Sequence, residues 1–260
     1  MLQITPVAAF ADNYIWVIQE SGSDGRVAIV DPGDAAPVID HLQQHGLQPA
    51  AILITHRHAD HIGGIAGLKA HYPGLPAFGP RNEAIDGLDT TLAEGDGVTI
   101  PGMNFRPRVM EVPGHTEGHI AYHAAGALFC GDTLFACGCG RVFSGTMAQL
   151  HAALNRISRL PEDTLLYCAH EYTLDNIGFA LWVEPDNTAL QQRRREAQQL
   201  RQANQPTVPS LLSLELATNP FLRVGVDQVQ AAAARYMGRP LQGSEAVFTA
   251  LRQWKDREYD

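Results

Sequence analysis

The chain has 260 residues, of which 45% are hydrophobic and 18% charged, and its formal net charge is −9. This composition is typical of a folded globular protein and excludes disorder over most of the chain. The negative charge argues against a nucleic-acid partner, and no apolar run is long enough to cross a bilayer, so we expect neither nucleic-acid nor membrane binding. An anionic substrate would require positive charge that is concentrated locally.

The four cysteines do not have the spacing of a disulfide framework. Cys130 and Cys168 lie in apolar runs, whereas Cys137 and Cys139 lie in a Gly-rich segment that favours a tight loop over a metal or redox pair. The first residues lack the basic start and apolar stretch of a secretory signal. We therefore expect free thiols and a cytoplasmic protein.

Short apolar runs between Gly- and Pro-rich turns predict strands through the first two-thirds of the chain. The predicted strands are Tyr14–Gln19, Arg26–Val30, Ala51–Thr55, Val98–Ile100, Arg108–Val112, Ile120–His123, Ala127–Cys130 and Leu165–Cys168. Helical patterns lie between them at Ala36–His45, Gly64–Tyr72 and Met147–Arg159. Alternating strands and helices of this kind predict an α/β fold in which helices cover sheets.

After Thr173 the pattern becomes helical. Helices are predicted at Thr188–Asn204, Asp227–Met237 and Ser244–Glu258, and each of the last two has a candidate N-cap residue. We therefore divide the chain into an α/β domain, residues 1–173, and a helical domain, residues 174–260.

The segment Thr55-His56-Arg57-His58-Ala59-Asp60-His61 directly follows an apolar run. Three imidazoles and one carboxylate within six residues suit zinc or a similar borderline metal. His56 and His58 alternate and can point to one side of an extended strand end, whereas Asp60 and His61 are offset and could serve a second ion. The alternative is a polar loop between a strand and a helix.

Three further ligand-type residues follow apolar runs: His115, Asp132 and His170. Four runs therefore end in a metal-type ligand, and in α/β folds sites form where strand ends share one edge of a sheet. Such an edge would gather seven ligands: His56, His58, Asp60, His61, His115, Asp132 and His170. Seven groups are too many for one tetrahedral zinc, but a bridging carboxylate would let them serve two ions.

Other polar residues near these runs are assigned supporting roles. His119 could be a ligand, although a buried packing role is favoured. Asp31 follows another predicted strand, where we expect it either to form a turn or to support a ligand, because metal-bound histidines usually donate their second N–H to a carboxylate or carbonyl. No function is assigned to the histidines in helical stretches, which are expected to be exposed: His41, His45, His71 and His151.

Three segments together resemble the motifs of the metallo-β-lactamase superfamily: Thr55–His61, Gly114–His119 and Gly131–Thr133. The resemblance implies an αββα sandwich. A narrower resemblance, to glyoxalase II or hydroxyacylglutathione hydrolase, covers nearly the whole chain. Its segments are Phe10–Tyr14, Gly131–Arg141, Cys168–Thr173, Val183–Asn187, Thr218–Arg223 and Leu251–Asp256. It implies that residues 1–173 are the catalytic domain and that residues 174–260 are a helical substrate-binding domain.

The resemblance to glyoxalase II also implies roles for individual residues. One metal would be held by His56, His58 and His115, the other by Asp60, His61 and His170, and Asp132 would bridge them. The glutathione-binding positions would be Arg141, Phe143, Tyr172, Arg252 and Lys255. Phe143 stands where many members have Tyr, so a hydroxyl contact to glutathione would be missing. Helical spacing places Lys255 inside an apolar arc, where a snorkelling lysine is the alternative to carboxylate binding.

The implied reaction is the hydrolysis of S-(2-hydroxyacyl)glutathione, chiefly S-D-lactoylglutathione, to glutathione and D-lactate, the second step of methylglyoxal detoxification. Two divalent ions, zinc before iron or manganese, would lower the pKa of a bound water and hold the hydroxide against the thioester, with Asp60 and Asp132 as the catalytic carboxylates. The thiolate leaves without strong protonation, because its thiol has a pKa of about 8.5. The expected partner is the glutathione thioester, and the expected oligomeric state is a monomer.

Three other functions are compatible with part of the pattern. A glutathione persulfide dioxygenase with one iron shares the superfold but would not be expected to carry the helical domain with Arg252 and Lys255. A β-lactamase or lactonase would leave the basic residues without a role. A non-catalytic binding module would not need seven ligands.

Overall fold

The computed structural model describes residues 2–259, which form two units. The first unit is Met1–Val112 with Thr116–Gly131, and the second is Pro113–His115 with Asp132–Asp260. These units are defined by which residues pack together. The predicted division after residue 173 is instead a division by role, into a catalytic and a substrate-binding segment, and it stays a prediction.

A six-stranded sheet forms the centre of the first unit. Its strands are β1 (Leu2–Ala9), β2 (Asn13–Glu20), β3 (Arg26–Val30), β4 (Gln48–Leu53), β5 (Ala77–Pro80) and β6 (Thr90–Leu92), in that order across the sheet. The β1, β2 and β3 strands are antiparallel, and from β3 to β6 the pairing is parallel. The carboxyl ends of β3 and β4 therefore lie at one edge, where the Asp31 amide donates to the Leu53 carbonyl at 3.0 Å.

Three helices follow strands of this sheet: α1 (Ala35–His45), α2 (Ala59–Ile62) and α3 (Ile65–His71). Asp34 caps α1 by accepting a hydrogen bond from the Ala36 amide at 3.0 Å, which satisfies a donor that the helix itself leaves unpaired. Leu42 and Leu68 are fully buried in the core against the sheet, each contributing about 1.5–3 kcal/mol by leaving water.

An antiparallel set of strands completes the first unit: β7 (Arg108–Glu111), β8 (Ile120–Ala124) and β9 (Ala127–Gly131). The Tyr122 hydroxyl donates to the Ile54 carbonyl at 2.8 Å. The Ile120 amide donates to the Thr55 carbonyl at 3.0 Å, so the start of β8 lies beside the chain that leaves β4.

The second unit is mainly helical. It contains the hairpin β10 (Leu134–Phe135) and β11 (Gly138–Cys139), then α4 (Met147–Ile157), β12 (Leu165–Cys168), α5 (Thr173–Val183), α6 (Thr188–Gln202), β13 (Ser210–Leu211), α7 (Leu212–Thr218), α8 (Asp227–Met237), α9 (Ser244–Trp254) and a π-helical turn at Lys255–Tyr259. The predicted helices Thr188–Asn204 and Asp227–Met237 are confirmed to within two residues, and α5 and α7 were not predicted. No helix among residues 2–259 is both long and apolar enough to cross a membrane.

Several predictions of local structure are wrong. Val98–Ile100 is not a strand: Val98 and Ile100 are buried, but an isolated bridge from Gly97 to Arg108 replaces the ladder. The predicted helix Ser244–Glu258 ends as an α-helix at Trp254 and continues as a π-helical turn.

His151 was expected to be exposed, and this is also wrong. The residue is buried, and its ring lies 5.5 Å from that of Phe248. Its Nε2 atom is hydrogen-bonded to the Asn155 side chain at 3.0 Å, which satisfies the polar ring inside the unit.

Candidate metal centre

The loop after β4 carries four of the predicted ligands. His56 and His61 are fully buried, whereas His58 and Asp60 are partly exposed. The Nε2 atom of His56 lies 3.0 Å from Nδ1 of His58, and the His56 and His61 ring centroids are 4.0 Å apart. His61 Nε2 lies 3.6 Å from Asp60 Oδ2. The four side chains therefore lie together at the end of β4.

Asp31 orients two of these histidines, as predicted for a supporting carboxylate. Its Oδ1 accepts from the Thr55 amide and its Oδ2 from the Thr55 hydroxyl, both at 2.7 Å. Oδ2 also faces His61 Nδ1 at 3.1 Å. The Thr55 hydroxyl in turn lies 3.1 Å from His56 Nδ1. A carboxylate this close to Nδ1 of His61 leaves Nε2 as the ring nitrogen that can bind a metal.

Two neighbours complete the surroundings of this loop. The His119 ring is buried and stacks on the His56 ring, with centroids 4.6 Å apart and an interplanar angle of 18°. Asn13, to which the sequence pattern assigned no role, donates from Nδ2 to Asp60 Oδ2 at 3.0 Å. His119 therefore has the packing role that was favoured, and Asn13 fixes one carboxylate oxygen of a predicted ligand.

Asp132 lies between two imidazoles of the second unit. Its Oδ2 is 3.5 Å from His115 Nε2, and its Oδ1 is 3.4 Å from His170 Nε2. The second ring nitrogen of His115, Nδ1, donates to the Arg141 carbonyl at 2.7 Å. Since a carbonyl only accepts, Nδ1 of His115 carries a proton, and Nε2 is the ring nitrogen that can bind a metal. A carboxylate whose two oxygens face two different imidazoles is the arrangement expected of a ligand that two ions share.

The predicted ligands fall into two sets within each of which the ligand atoms lie within 4.8 Å of one another. The sets are His56, His58, His115 and Asp132, and Asp60, His61 and His170. Together they contain all seven predicted ligands, and His119 belongs to neither. Imidazole and carboxylate donors without thiolates suit zinc, iron or manganese, so the residues fit the divalent ions that the sequence implied.

Two predicted substrate-binding residues pack on ligand rings. Tyr172 stacks on His170 with centroids 4.7 Å apart and an interplanar angle of 6°, and Phe143 contacts His115 edge-on at 5.2 Å. Both side chains are exposed, Phe143 by 63% of its surface. Exposed aromatic rings beside predicted metal ligands can contact both the candidate metal centre and a bound substrate.

The three predicted cations pair with carboxylates. Asp256 Oδ1 lies 3.3 Å from Arg141 Nε and 2.9 Å from Arg252 Nη2. Lys255 Nζ lies 3.6 Å from Asp175 Oδ2. Arg252 and Lys255 are buried, whereas the Arg141 side chain is 46% exposed. Asp256, which the sequence pattern did not single out, therefore joins the two arginines.

The cysteines are free, as predicted, and the structure buries all four. Burial raises the pKa of the Cys137 thiol to about 12 and that of Cys139 to about 11. Both lie in the hairpin, whose strands are joined by the two residues Ala136 and Cys137, which confirms the tight loop. Neither thiol belongs to the ligand sets found among the described residues.

Comparison with known proteins agrees with this geometry. Residues 10–170 match the family described as the metallo-beta-lactamase superfamily, and residues 171–258 match the family described as the hydroxyacylglutathione hydrolase C-terminus. The chain belongs to the metallo-β-lactamase superfamily and has its αββα fold with a helical C-terminal region, as predicted.

Two curated relatives show which family within the superfamily the chain belongs to. The chain is 50% identical to the hydroxyacylglutathione hydrolase of Xanthomonas campestris pv. campestris (strain B100) over 255 residues, 98% of each chain. It is 51% identical to the hydroxyacylglutathione hydrolase of Alkalilimnicola ehrlichii over 257 residues, covering 99% of this chain and 100% of that one. Within the superfamily, the chain therefore belongs to the hydroxyacylglutathione hydrolases.

The fold is also found in a more distant solved structure. The B3 metallo-beta-lactamase BLEG-1 is similar with a TM-score of 0.63 and 24% identity, over 85% of this chain and 99% of that chain. At this identity the similarity indicates only the shared fold.

Proposed function

We propose that this protein hydrolyses S-(2-hydroxyacyl)glutathione thioesters, chiefly S-D-lactoylglutathione, to glutathione and a 2-hydroxy acid. The observation that carries the proposal is the 50% identity to a hydroxyacylglutathione hydrolase over 98% of both chains. The match at residues 171–258 favours this function over a persulfide dioxygenase or a β-lactamase.

In this proposal the seven ligands hold two divalent ions. One ion would be bound by His56, His58 and His115, the other by Asp60, His61 and His170, with Asp132 shared. When bound, the ions supply a water nucleophile at neutral pH and stabilise the oxyanion of the attacked thioester. We propose zinc as the resident metal, with iron or manganese as alternatives that the same donors accept.

The chain itself supplies the orientation and the proton acceptor. Asp31 lies beside Nδ1 of His61, and the Arg141 carbonyl accepts from Nδ1 of His115, so Nε2 is the ring nitrogen that each would offer to a metal. The Asp60 carboxylate is 40% exposed and held at one oxygen by Asn13, so it is available to take a proton after attack. The departing thiolate needs no strong acid, because its thiol has a pKa of about 8.5.

The basic residues would bind the carboxylates of glutathione. Arg141, Arg252 and Lys255 concentrate positive charge in a chain whose net charge is −9. Arg141 is accessible to a carboxylate, whereas the guanidinium of Arg252 is 1% exposed and would act mainly through its charge. Tyr172 and Phe143 would lie against the substrate beside His170 and His115.

Three further features belong to the same proposal. We propose a catalytic domain of residues 1–173 and a helical substrate-binding domain of residues 174–260; the two family matches meet at residues 170 and 171. We propose a monomer, and we propose the cytoplasm as the location because four buried free thiols suit a reducing compartment.

The test combines metal analysis with a pair of substrates. Metals per chain are measured on the purified protein, and hydrolysis is followed with S-D-lactoylglutathione and with S-D-lactoyl-N-acetylcysteamine, which keeps the thioester but lacks both carboxylates of glutathione. We expect two metals and a kcat/KM on the order of 100-fold higher for the glutathione substrate, from two charge-assisted contacts. Two metals without thioesterase activity would refute the substrate assignment.

A further inference from the structure

The hairpin formed by β10 and β11 connects two groups of the metal centre. Asp132 precedes the hairpin by two residues, and Arg141, whose carbonyl accepts the His115 Nδ1 proton at 2.7 Å, follows it by two. The Gly140 amide donates to the Thr133 carbonyl at 3.3 Å, and a Cβ atom at Gly140 would lie 2.0 Å from the Asp132 carbonyl oxygen. The shape of the hairpin therefore sets the positions of the Asp132 carboxylate and the His115 ring.

Side chains of α7 hold the backbone of this hairpin. Asn219, which directly follows α7, donates from Nδ2 to the Gly138 carbonyl at 2.9 Å and to the Phe135 carbonyl at 3.3 Å. Glu215 accepts from the Cys137 amide at 2.8 Å. Cys137 has the left-handed φ of 61°, which disfavours a residue with a side chain unless its surroundings stabilise it.

Side chains of two further helices also donate to carbonyls of the hairpin. Asn176 of α5 donates from Nδ2 to the Ala136 carbonyl at 3.1 Å, and Arg252 of α9 donates from Nη1 to the Cys139 carbonyl at 2.9 Å. Every residue of the stretch 135–139 therefore has a backbone group bonded to a side chain of the C-terminal region.

These side chains are deeply buried. Asn176 is 2% exposed, and Glu215 and Asn219 are 0% exposed. Glu215 also forms an ion pair with Arg193, which is buried as well. The free-energy cost of removing such groups from water offsets much of the stabilisation from their hydrogen bonds. A gain in stability therefore explains these buried polar residues poorly, whereas the fixing of one backbone conformation explains them better.

We propose that Asn219, Glu215 and Asn176 are positioning residues for the metal centre, because they fix the hairpin that places Asp132 and the carbonyl partner of His115. This inference rests on one part of the proposed function, namely that the seven predicted ligands bind metal, and it does not depend on the substrate. It assigns the C-terminal helices a second role beside substrate binding: they set the geometry of metal ligands.

The main test is Asn219→Asp in the full-length protein. The Asp side chain has the shape of Asn and still accepts from the Phe221 amide. In place of the Nδ2 donor, however, it directs a carboxylate oxygen at the two hairpin carbonyls and at the Glu215 carboxylate. We expect zinc retention to fall about 10- to 100-fold in competition with a chelator, as for other groups that orient metal ligands. We also expect the visible spectrum of the Co²⁺-loaded protein to change, because coordination geometry changes.

Two more variants separate positioning from a general loss of stability. Asn176→Ala removes the bond to the Ala136 carbonyl and the side-chain contact with Gly138, and it should weaken zinc retention in the same direction even if Asn219→Asp fails to fold. Ser210→Ala is the matched control, because it removes the 2.6 Å bond to the same Glu215 carboxylate but touches no hairpin residue. It should lower the unfolding temperature and leave zinc retention and the Co²⁺ spectrum unchanged.

The outcomes distinguish the two proposals. Wild-type zinc retention in both hairpin variants, or an equal loss in Ser210→Ala at a matched unfolding temperature, would overturn the positioning role. A wild-type protein that binds two metals and leaves S-D-lactoylglutathione intact refutes the substrate instead, and the comparison of metal retention still stands.

Discussion

The Nδ1 atom of His61 lies 3.1 Å from the Oδ2 atom of Asp31, and both side chains are buried. The two residues meet because β3 and β4 are parallel, so the chain leaves both strands at one edge of the sheet. Through the Thr55 hydroxyl, the same carboxylate also reaches His56. One residue that is not a predicted ligand therefore contacts one predicted ligand directly and reaches a second through Thr55.

Replacing Asp31 by Asn tests this relationship. Asn has nearly the same size and tolerates the left-handed φ of 52° at this position, so the change removes the negative charge and replaces one accepting oxygen by an NH2 donor. We expect zinc retention to fall about 10- to 100-fold in chelator competition. Asp24→Asn is the control, since Asp24 also has a left-handed φ, of 50°, but is exposed in a turn. Equal zinc retention in both variants would contradict the role of Asp31.

Replacing Phe143 by Tyr tests the position where many glyoxalase II sequences carry Tyr. The ring is 63% exposed and contacts His115 edge-on, so a hydroxyl can be added without repacking. One hydrogen bond to bound glutathione should lower KM about 2- to 10-fold and leave kcat unchanged, because it acts on the ground and transition states alike. Steady-state kinetics measure this, with Phe143→Leu as a comparison that should raise KM. An unchanged KM in Phe143→Tyr would mean that the hydroxyl makes no contact.

Replacing Cys137 or Cys139 by Ala should leave the number of metals per chain unchanged. Each change removes one buried heavy atom, which costs about 1 kcal/mol of unfolding free energy. Because burial raises both pKa values to about 11 or 12, the native thiols should also resist alkylation at pH 8 and react once the chain is unfolded. Loss of a metal in either variant, or rapid native alkylation, would show that the thiols are not structural.

Replacing Asp89 by Asn should give a pH-dependent loss of stability. Asp89 Oδ2 accepts from Lys69 Nζ and from the Ala77 amide, both at 2.7 Å, and these bonds, that of Lys69 first, lower the pKa of Asp89 although burial opposes them. A lowered carboxyl pKa stabilises the fold above the ordinary pKa of about 4, and this stability is lost as the pH falls through the folded value.

The expected difference at pH 7 is about 0.5–1 kcal/mol, because the Asp89 side chain is 50% exposed and solvent screens the pair. Urea unfolding of both proteins at pH 7 and pH 3, with a chelator present so that metal loss does not contribute, should show the difference shrinking at low pH. It should also shrink in 1 M salt. A difference that is constant with pH would contradict an ionic origin.

The sequence by itself determined which residues are chemically able to hold the metals. The strands Arg26–Val30 and Leu165–Cys168 and the helix Asp227–Met237 were predicted with the bounds that the structure has. Hydrophobic periodicity is local, so it marks where a strand ends and a polar ligand follows, as at His170 after β12. The seven predicted ligands could be selected because each follows such a run or lies in one short motif.

Hydrophobic periodicity did not predict some of the strands and buried residues. The strands β5 and β6 have four and three residues and form only because the sheet pairs them, and Val98 and Ile100 fill the core without a ladder. His151 lies on a helix whose partner surface, including Phe248, comes from far along the chain. Burial of this kind depends on packing between distant segments, which no local pattern records.

The partners of the metal-centre groups were decided by the tertiary structure alone. Glu215 reaches the Cys137 amide across 78 residues, and Arg252 reaches the Cys139 carbonyl across 113. A buried polar side chain must find its hydrogen-bond partner wherever the fold brings one, and that partner can be any backbone group. The residues of the candidate metal centre could therefore be predicted from the sequence. The contacts that hold Asp132 and His115 in place could not, because they form only when distant helices pack around the hairpin.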